Sequence, residues 1–176
     1  LNSTNALSDV TFVNPINLNG GSRTITVFDN TTATTDYATI SGVISGSTGS
    51  ALTKAGAGLL YLTGANTFSG NTTLSAGTLI VSSIGGGSVA TSAFGDGSGI
   101  LTVAGGTLVY VGDGETVARK VNVTASAAID SSGSGPLVFS DLNFPAGVAR
   151  TLTLTGTNAD GNTLSQPLND MGAVLS

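Results

Sequence analysis

Residues 52–83, LTKAGAGLLYLTGANTFSGNTTLSAGTLIVSS, decide the fold. Within this stretch apolar residues alternate with small or polar ones over short windows, and the windows are bounded by glycine or asparagine, as by Gly77 before Thr78–Val81 and by Gly58 before Leu59–Leu62. A period of two bounded by turn residues is typical of short, half-buried β-strands. Similar windows recur at Thr24–Val27 and Thr151–Leu154. The chain is therefore predicted to be all-β, with a sandwich, a barrel and a β-solenoid as the candidate architectures.

A short internal repeat favours the solenoid. Residues 72–81 read TTLSAGTLIV and residues 101–110 read LTVAGGTLVY, so that a Gly-Thr-Leu core begins at Gly77 and begins again at Gly106. The interval between these two glycines lies within the period of about 20–50 residues that is the sequence signature of solenoids and repeat arrays. We call this pair of matching segments the Gly-Thr-Leu repeat.

A second similarity, between two segments far apart in the chain, bears on the domain organisation; we call it the Arg-Thr echo. Residues 23–27 read RTITV and residues 150–154, much further along the chain, read RTLTL. This Arg-Thr echo predicts that a second long module begins in residues 150–176. We expect residues 1–176 to form a single β-solenoid segment of a longer repetitive protein, with its most regular repeat at 52–83.

The composition excludes several functional classes. Charged residues make up 9% of the chain, the net charge is −5, and there is no His, Cys or Trp. Zinc sites built on His or Cys, and nucleophilic catalysis by Ser–His–Asp or Cys–His, are therefore impossible. Five cations and a pI near 4.1 leave no basic patch for nucleic acid. No apolar run approaches the ~18 residues that a transmembrane helix needs.

Residues 52–83 resemble the autotransporter-associated β-strand repeat, also called the passenger-associated transport repeat. The likeness rests on an ordered, ungapped series of positions: Leu52, Thr53, Lys54, Gly56, Gly58, Leu60, Leu62, Gly64, Asn66, Thr67, Phe68, Gly70, Thr72, Leu74, Gly77, Thr78 and Leu79. The resemblance implies a right-handed parallel β-helix in a bacterial surface or secreted protein.

A parallel β-helix gives each of these residue types a place. Coils stack at the strand spacing of ~4.8 Å, so inward positions of successive coils lie above one another. Leu108 and Tyr110 are expected to stack on Leu79 and Val81, and threonines such as Thr73 to face solvent. About 20–29 residues per coil gives about six to eight coils, and a rod ~30–40 Å long.

The structural residues of the repeat are expected to fill the core and mark the corners. Asn66 should be buried at a corner and bonded to backbone groups of its own or a neighbouring coil. Phe68 should cap the core beside that turn. The full set is Gly56, Gly58, Leu60, Leu62, Gly64, Asn66, Phe68, Gly70, Leu74, Gly77, Thr78, Leu79 and Val81.

The acidic residues carry little sign of chemistry. Asp96 in GDGSG and Asp113 in GDGE look like calcium loops, but neither a nonapeptide repeat nor EF-hand spacing is present, which favours solvated turns. Asp113 and Glu115 are the candidate acid–base pair for glycosidic cleavage. They lie beside glycine in an expected loop, and Glu115 is the only glutamate. We expect no catalytic residue, no cofactor and no metal site.

Two further groups receive a structural interpretation. Tyr37, Tyr61 and Tyr110 could stack on sugars, but their separation in sequence favours packing in the core or at corners. Arg119 and Lys120 form an isolated cationic pair, which is expected to lie on a solvated face.

These observations predict a non-enzymatic structural segment of a bacterial cell-surface or secreted protein, such as a stalk, an adhesin or an extracellular fibre. The alternative is the subunit of an extracellular filament built by end-to-end stacking of solenoids, since open coil ends are exposed strand edges. A carbohydrate-binding or carbohydrate-cleaving β-helix is a third reading. Expected partners are neighbouring modules of the same polypeptide, further copies through the solenoid ends, and a host or matrix glycan or protein if the chain is an adhesin.

Overall fold

The computed structural model describes residues 1–86, 90–147 and 149–165, together with the backbone of residues 173–175. Within these ranges the regular structure consists of short β-strands, and every pairing between them is parallel. No helix in the described part of the chain is long and apolar enough to cross a membrane.

The strands follow one another in coils. In chain order they are β1 (Val10–Phe12), β2 (Ile16–Asn17) and β3 (Arg23–Thr26) in coil 1; β4 (Ala38–Ile40), β5 (Ile44–Ser45) and β6 (Leu52–Ala55) in coil 2; β7 (Leu59–Leu62) and β8 (Thr72–Leu74) in coil 3; β9 (Thr78–Val81) and β10 (Leu101–Val103) in coil 4; β11 (Thr107–Tyr110), β12 (Asp113–Val117) and β13 (Val121–Val123) in coil 5; β14 (Ala127–Ser131), β15 (Gly135–Phe139) and β16 (Leu142–Asn143) in coil 6; β17 (Arg150–Thr155) and β18 (Thr163–Leu164) in coil 7; and β19 (Ala173–Leu175), which opens coil 8.

Three sides result from this winding. The first strand of every coil joins one eight-stranded sheet, called sheet I, and the last strand of coils 1–6 joins a six-stranded sheet, called sheet II. The third side holds two short sheets, β2–β5 and β12–β15–β18, with no named strand from coils 3 and 4. This is a parallel β-helix, so the predicted fold class is confirmed. Its right-handed sense stays a prediction.

The register in sheet I shows that the coils differ in length. The shortest is coil 3, in which Leu60 faces Leu79, and the longest is coil 4, in which Leu79 faces Leu108. Coil 3 is marginally shorter than the predicted range of about 20–29 residues, and the other complete coils lie within that range. Seven steps of ~4.8 Å make a stack about 34 Å tall.

The Gly-Thr-Leu repeat corresponds to one coil. Leu108 faces Leu79 and Tyr110 faces Val81, which is the stacking predicted from the sequence. All four side chains are buried in a single apolar core that runs through the stack. On the outer side of sheet II, the predicted position of Thr73 is also observed, and its side chain is partly exposed.

The Arg-Thr echo does not join equivalent positions. Arg23 lies in β3 of sheet II and is exposed, whereas Arg150 lies in β17 of sheet I and is buried. The two similar sequences therefore occupy different sides of the coil. The predicted second module at 150–176 includes residues 166–172 and 176, which lie outside the described residues.

Glycines at the corner between sheets II and I keep the coils in contact. Gly56, Gly77 and Gly106 stack there with φ angles of +78°, +72° and +74°. A Cβ on Gly77 would lie 2.5 Å from the carbonyl oxygen of Gly56, and a Cβ on Gly106 would lie closer still to that of Gly77. Only glycine satisfies both the left-handed backbone and the close approach of the next coil.

We expect Gly77→Ala to destabilise the fold by about 2–4 kcal/mol, because it adds backbone strain and a contact with a backbone oxygen that cannot move aside. Gly161→Ala is the matched control, since Gly161 has open space around its Cα. Urea unfolding followed by far-UV circular dichroism measures both. Equal stability of the two variants would contradict the corner geometry.

Candidate functional site

The repeat predicted at residues 52–83 spans one complete coil and the strands on either side of it. Its apolar side chains are buried in the core: Leu60, Leu62, Phe68, Leu74, Leu79 and Val81. Its glycines lie between strands, at or near the corners: Gly56, Gly58, Gly64, Gly70 and Gly77. Thr78 begins β9 and is partly exposed.

Asn66 joins three successive coils. Its side chain is fully buried. The Oδ1 atom accepts a hydrogen bond of 2.7 Å from the backbone N–H of Ile44 in coil 2, and Nδ2 donates one of 2.7 Å to the carbonyl oxygen of Ala93 in coil 4. Its backbone N–H also lies 3.0 Å from the carbonyl oxygen of Ser92.

The position of Asn66 explains the need for this side chain. Among the described residues, coils 3 and 4 have no strand on the third side. The backbone N–H of Thr67 donates to the Ile44 carbonyl oxygen at 2.9 Å, but the Ile44 N–H has no backbone acceptor in coil 3 and bonds to Asn66 instead. The carboxamide supplies an acceptor to Ile44 below and a donor to Ala93 above, which keeps buried polar groups paired. Phe68 follows in the same corner and is buried in the core.

Lys54 is a buried cation in the core of the repeat. It lies in β6 between Ile25 and Leu74 of the neighbouring coils and is 2% exposed. Its Nζ donates to the carbonyl oxygens of Gly56 at 2.8 Å, Ala76 at 3.0 Å and Ala55 at 3.1 Å. Because Ala76 belongs to the next coil, Lys54 ties two coils together at the glycine corner.

Burial also changes the acidity of Lys54. Removal from water lowers the pKa of the ammonium group from 10.5 to about 8. No structural role for Lys54 was predicted from its charge, although strand alternation contains the signal: with Leu52 inward and Thr53 outward, Lys54 must point inward.

Arg119 is buried as well. The prediction that Arg119 and Lys120 lie together on a solvated face is therefore wrong for Arg119. Lys120 is exposed, but Arg119 is only 2% exposed. Its guanidinium donates to the carbonyl oxygens of Phe94 at 3.0 Å and Gly99 at 3.4 Å, and lies 5.8 Å from the Phe94 ring centroid. Desolvation lowers its pKa to about 10, against the opposing effect of the nearby carboxylates. The cause of the burial is the long coil 4, whose segment after β9 covers the arginine.

The carboxylates bind parts of the protein itself. Glu115 accepts hydrogen bonds from the backbone N–H groups of Ile84, at 2.8 Å, and Gly85. Asp113 accepts one from the hydroxyl of Ser134 at 2.7 Å. In the described ranges no group of three or more His, Cys, Asp or Glu could hold a metal ion.

Asp96 closes a turn of its own. Its Oδ1 accepts from the backbone N–H of Ser98 at 3.0 Å and from the hydroxyl of the same residue at 2.6 Å. The side chain thus satisfies the local backbone, as Asp commonly does in Asx turns.

Comparison with known proteins agrees with this architecture. The family model of the passenger-associated transport repeat matches residues 52–81. The chain is also 35% identical over 168 residues to the adhesin BmaC autotransporter of Brucella suis biovar 1 (strain 1330). Residues 52–81 are thus a passenger-associated transport repeat. The alignment with the Brucella protein covers 89% of this chain but 5% of the relative, so the chain spans a small part of the curated protein that it matches. No solved structure matches the chain.

Around the passenger-associated transport repeat, the outer face of sheet II carries a row of hydroxyl and amide side chains. From coil 1 to coil 6 the facing residues are Thr24, Thr53, Thr73, Thr102, Asn122 and Asn143. The last two are linked by a 2.9 Å hydrogen bond between their side chains. The row contains no charged group.

The outer face of sheet I brings two tyrosines together. The rings of Tyr37 and Tyr61 meet edge to face, with their centroids 5.2 Å apart and an interplanar angle of 71°. Both are partly exposed, whereas Tyr110 is buried in the core. The expectation of core or corner packing is wrong for Tyr61, which lies on the outer face of β7. Tyr37 lies immediately before β4, and the length of coil 2 brings it beside Tyr61.

The two ends of the stack leave core positions open. At one end Phe12 stands opposite the buried Ile40, yet is 42% exposed. At the other end Leu154 stands opposite Ile129 and is 46% exposed. A cavity of about 340 Å³ lies beside it and is also lined by Phe139 and Leu164.

We expect Asn66→Ala to destabilise the chain by about 2–4 kcal/mol, because it leaves the buried Ile44 N–H and Ala93 carbonyl unpaired. Asn71→Ala is the matched control, since the Asn71 carboxamide accepts a 2.9 Å bond from Ile100 at an exposed site where water can replace it. Chemical unfolding of both variants measures the difference. A loss at position 66 no larger than at position 71 would contradict the bridging role.

We expect the free energy of unfolding to rise with pH above about 8, by at most about 1.4 kcal/mol per pH unit. The reason is that the unfolded chain keeps the Lys54 proton up to its ordinary pKa of 10.5, whereas the folded chain releases it at about 8. Unfolding curves between about pH 7 and about pH 9.5 test this window, below the titration of Tyr110, whose pKa burial raises. Lys54→Met should remove the slope and Lys120→Met should retain it. A wild-type stability that is flat or falls over this range would contradict the assignment.

Proposed function

We propose that this chain is a non-enzymatic structural segment of a longer bacterial cell-surface or secreted protein, where it forms part of an adhesin-like stalk. The name of the similar Brucella protein, an autotransporter adhesin, supports the surface location and the adhesive context. The paired carboxylates, which serve the protein's own backbone and hydroxyl groups, support a structural rather than a catalytic role.

The observation that carries the proposal is the stack of parallel coils itself. In sheet I each inner strand pairs with the strand of the coil below and with the strand of the coil above. Successive coils bury one another's inward side chains in a single apolar core. A chain built in this way forms a rod whose stability comes from contacts between neighbouring coils, as a stalk requires.

The second candidate function is self-assembly through the two ends of the coil stack. Copies of this chain could stack end to end and form an extracellular filament, because a head-to-tail contact between unlike surfaces does not close on itself. The open apolar positions and the unpaired edge of β1 favour this contact.

Electron microscopy of the full-length protein tests the stalk. Deleting the segment that corresponds to this chain should shorten the rod by about 34 Å, the height of seven coil steps, without loss of secretion. A rod of unchanged length would contradict the stalk.

Sedimentation of the isolated chain separates the two candidates. A monomer at high concentration would contradict the filament. Polymers that disappear in Phe12→Asp but persist in Thr102→Asp, a control on the side of the rod, would favour the filament over the stalk.

A further inference from the structure

The outer face of sheet I carries a continuous apolar patch, here called the tyrosine patch. It consists of Tyr37, Leu59, Tyr61, Ile80 and Val109, all outward-facing and partly exposed. Tyr61, Ile80 and Val109 face one another in register on coils 3, 4 and 5. Neighbouring coils lie ~4.8 Å apart, so this row is about 10 Å long.

The row of Tyr61, Ile80 and Val109 is bordered by hydroxyl side chains. Beside Tyr37, at the edge of the tyrosine patch, the adjacent coil carries the exposed Asp9. Thr39 precedes Tyr61 in the row, and Thr63 lies beside it. The first charged residue along the row is Asp130, one coil beyond Val109. The Asp36 carboxylate, next in sequence to Tyr37, is buried and accepts the backbone N–H of Asn30 at 2.5 Å.

The phenol groups are available to a ligand. Among the described residues neither the Tyr37 nor the Tyr61 hydroxyl has a hydrogen-bond partner. Tyrosines in this state present an apolar ring and a free polar end at one place, the combination that is enriched at binding surfaces. Contiguous apolar side chains on a surface, rimmed by polar groups, are candidates for an interaction site.

We infer that the tyrosine patch binds a neutral saccharide chain built of hexopyranose rings with equatorial substituents. The C–H groups of such a ring form a flat apolar face, which fits the row of Tyr61, Ile80 and Val109. Its hydroxyls point outward around the rim, where they meet the free phenols and the threonine hydroxyls. The absence of charge along this row disfavours acidic polysaccharides, which would need cationic partners.

Titration of the isotope-labelled chain with cellohexaose and with chitohexaose, followed by two-dimensional NMR, tests the site. We expect saturable shifts of the amides of Tyr37, Thr39, Tyr61 and Ile80 with at least one of these probes, and a Kd on the order of 1 mM. Tyr61→Ala should weaken binding by about tenfold or more. Tyr61→Phe, which keeps the ring, should lose less. Thr102→Ala, on the outer face of sheet II, should bind as the wild type does.

Several outcomes would overturn the inference. The first is the absence of saturable shifts in the tyrosine patch with both probes. The second is equal binding by Tyr61→Ala and the wild type when circular dichroism shows both to be folded. The third is self-association that Tyr61→Ala abolishes, which would make a second copy of the chain the occupant. The proposed stalk is tested separately, because rod length does not depend on Tyr61.

Discussion

The structure depends on one constraint: each coil must bond its backbone to the coil below and the coil above at a fixed spacing. Where strands run on, in sheets I and II, the parallel ladders meet this demand. On the third side of coils 3 and 4, where the described residues form no strand, isolated backbone hydrogen bonds such as Thr67 N–H to the Ile44 carbonyl oxygen replace the ladder. Asn66 adds one acceptor and one donor that point in opposite directions along the stack. The carboxamide thus pairs backbone groups that the interrupted sheet leaves without a partner.

The same constraint accounts for the polar groups inside so apolar a protein. Lys54 and Arg119 are buried beside corners and loops where several backbone carbonyls converge without strand partners. An ammonium or guanidinium group donates to several of them at once. Burying a cation is costly, and the lowered pKa values of both residues express that cost. Backbone carbonyl groups buried without a hydrogen-bond donor would also cost free energy. The hydrogen bonds between the cations and these carbonyl groups therefore reduce both costs.

Much of the fold could be predicted from the sequence because it follows from periodicity. Alternation of apolar and small residues specifies strands, and the Gly-Thr-Leu repeat specifies a coil, which placed Leu108 on Leu79 correctly. Alternation alone also places Lys54 inward, a signal that its charge obscured. The two segments of the Arg-Thr echo lie on different sides of the coil, because a few matching residues do not specify the side on which they lie. The candidate surface could not be predicted in the same way, because the meeting of Tyr37 with Tyr61 requires the length of coil 2. Coil lengths differ along the chain, as the short coil 3 and the long coil 4 show. Sequence spacing therefore does not tell which side chains on adjacent coils are neighbours, and the three-dimensional register is needed.

The register itself can be measured directly, since the chain has no cysteine and accepts labels at chosen sites. Nitroxide labels on Thr24→Cys and Asn143→Cys would sit on the outer row of sheet II, five coil steps apart. Pulsed electron–electron double resonance should give a single narrow distribution centred at about 24 Å, five times the ~4.8 Å spacing. A broad distribution, or a peak far from this distance, would contradict the continuous stack of coils.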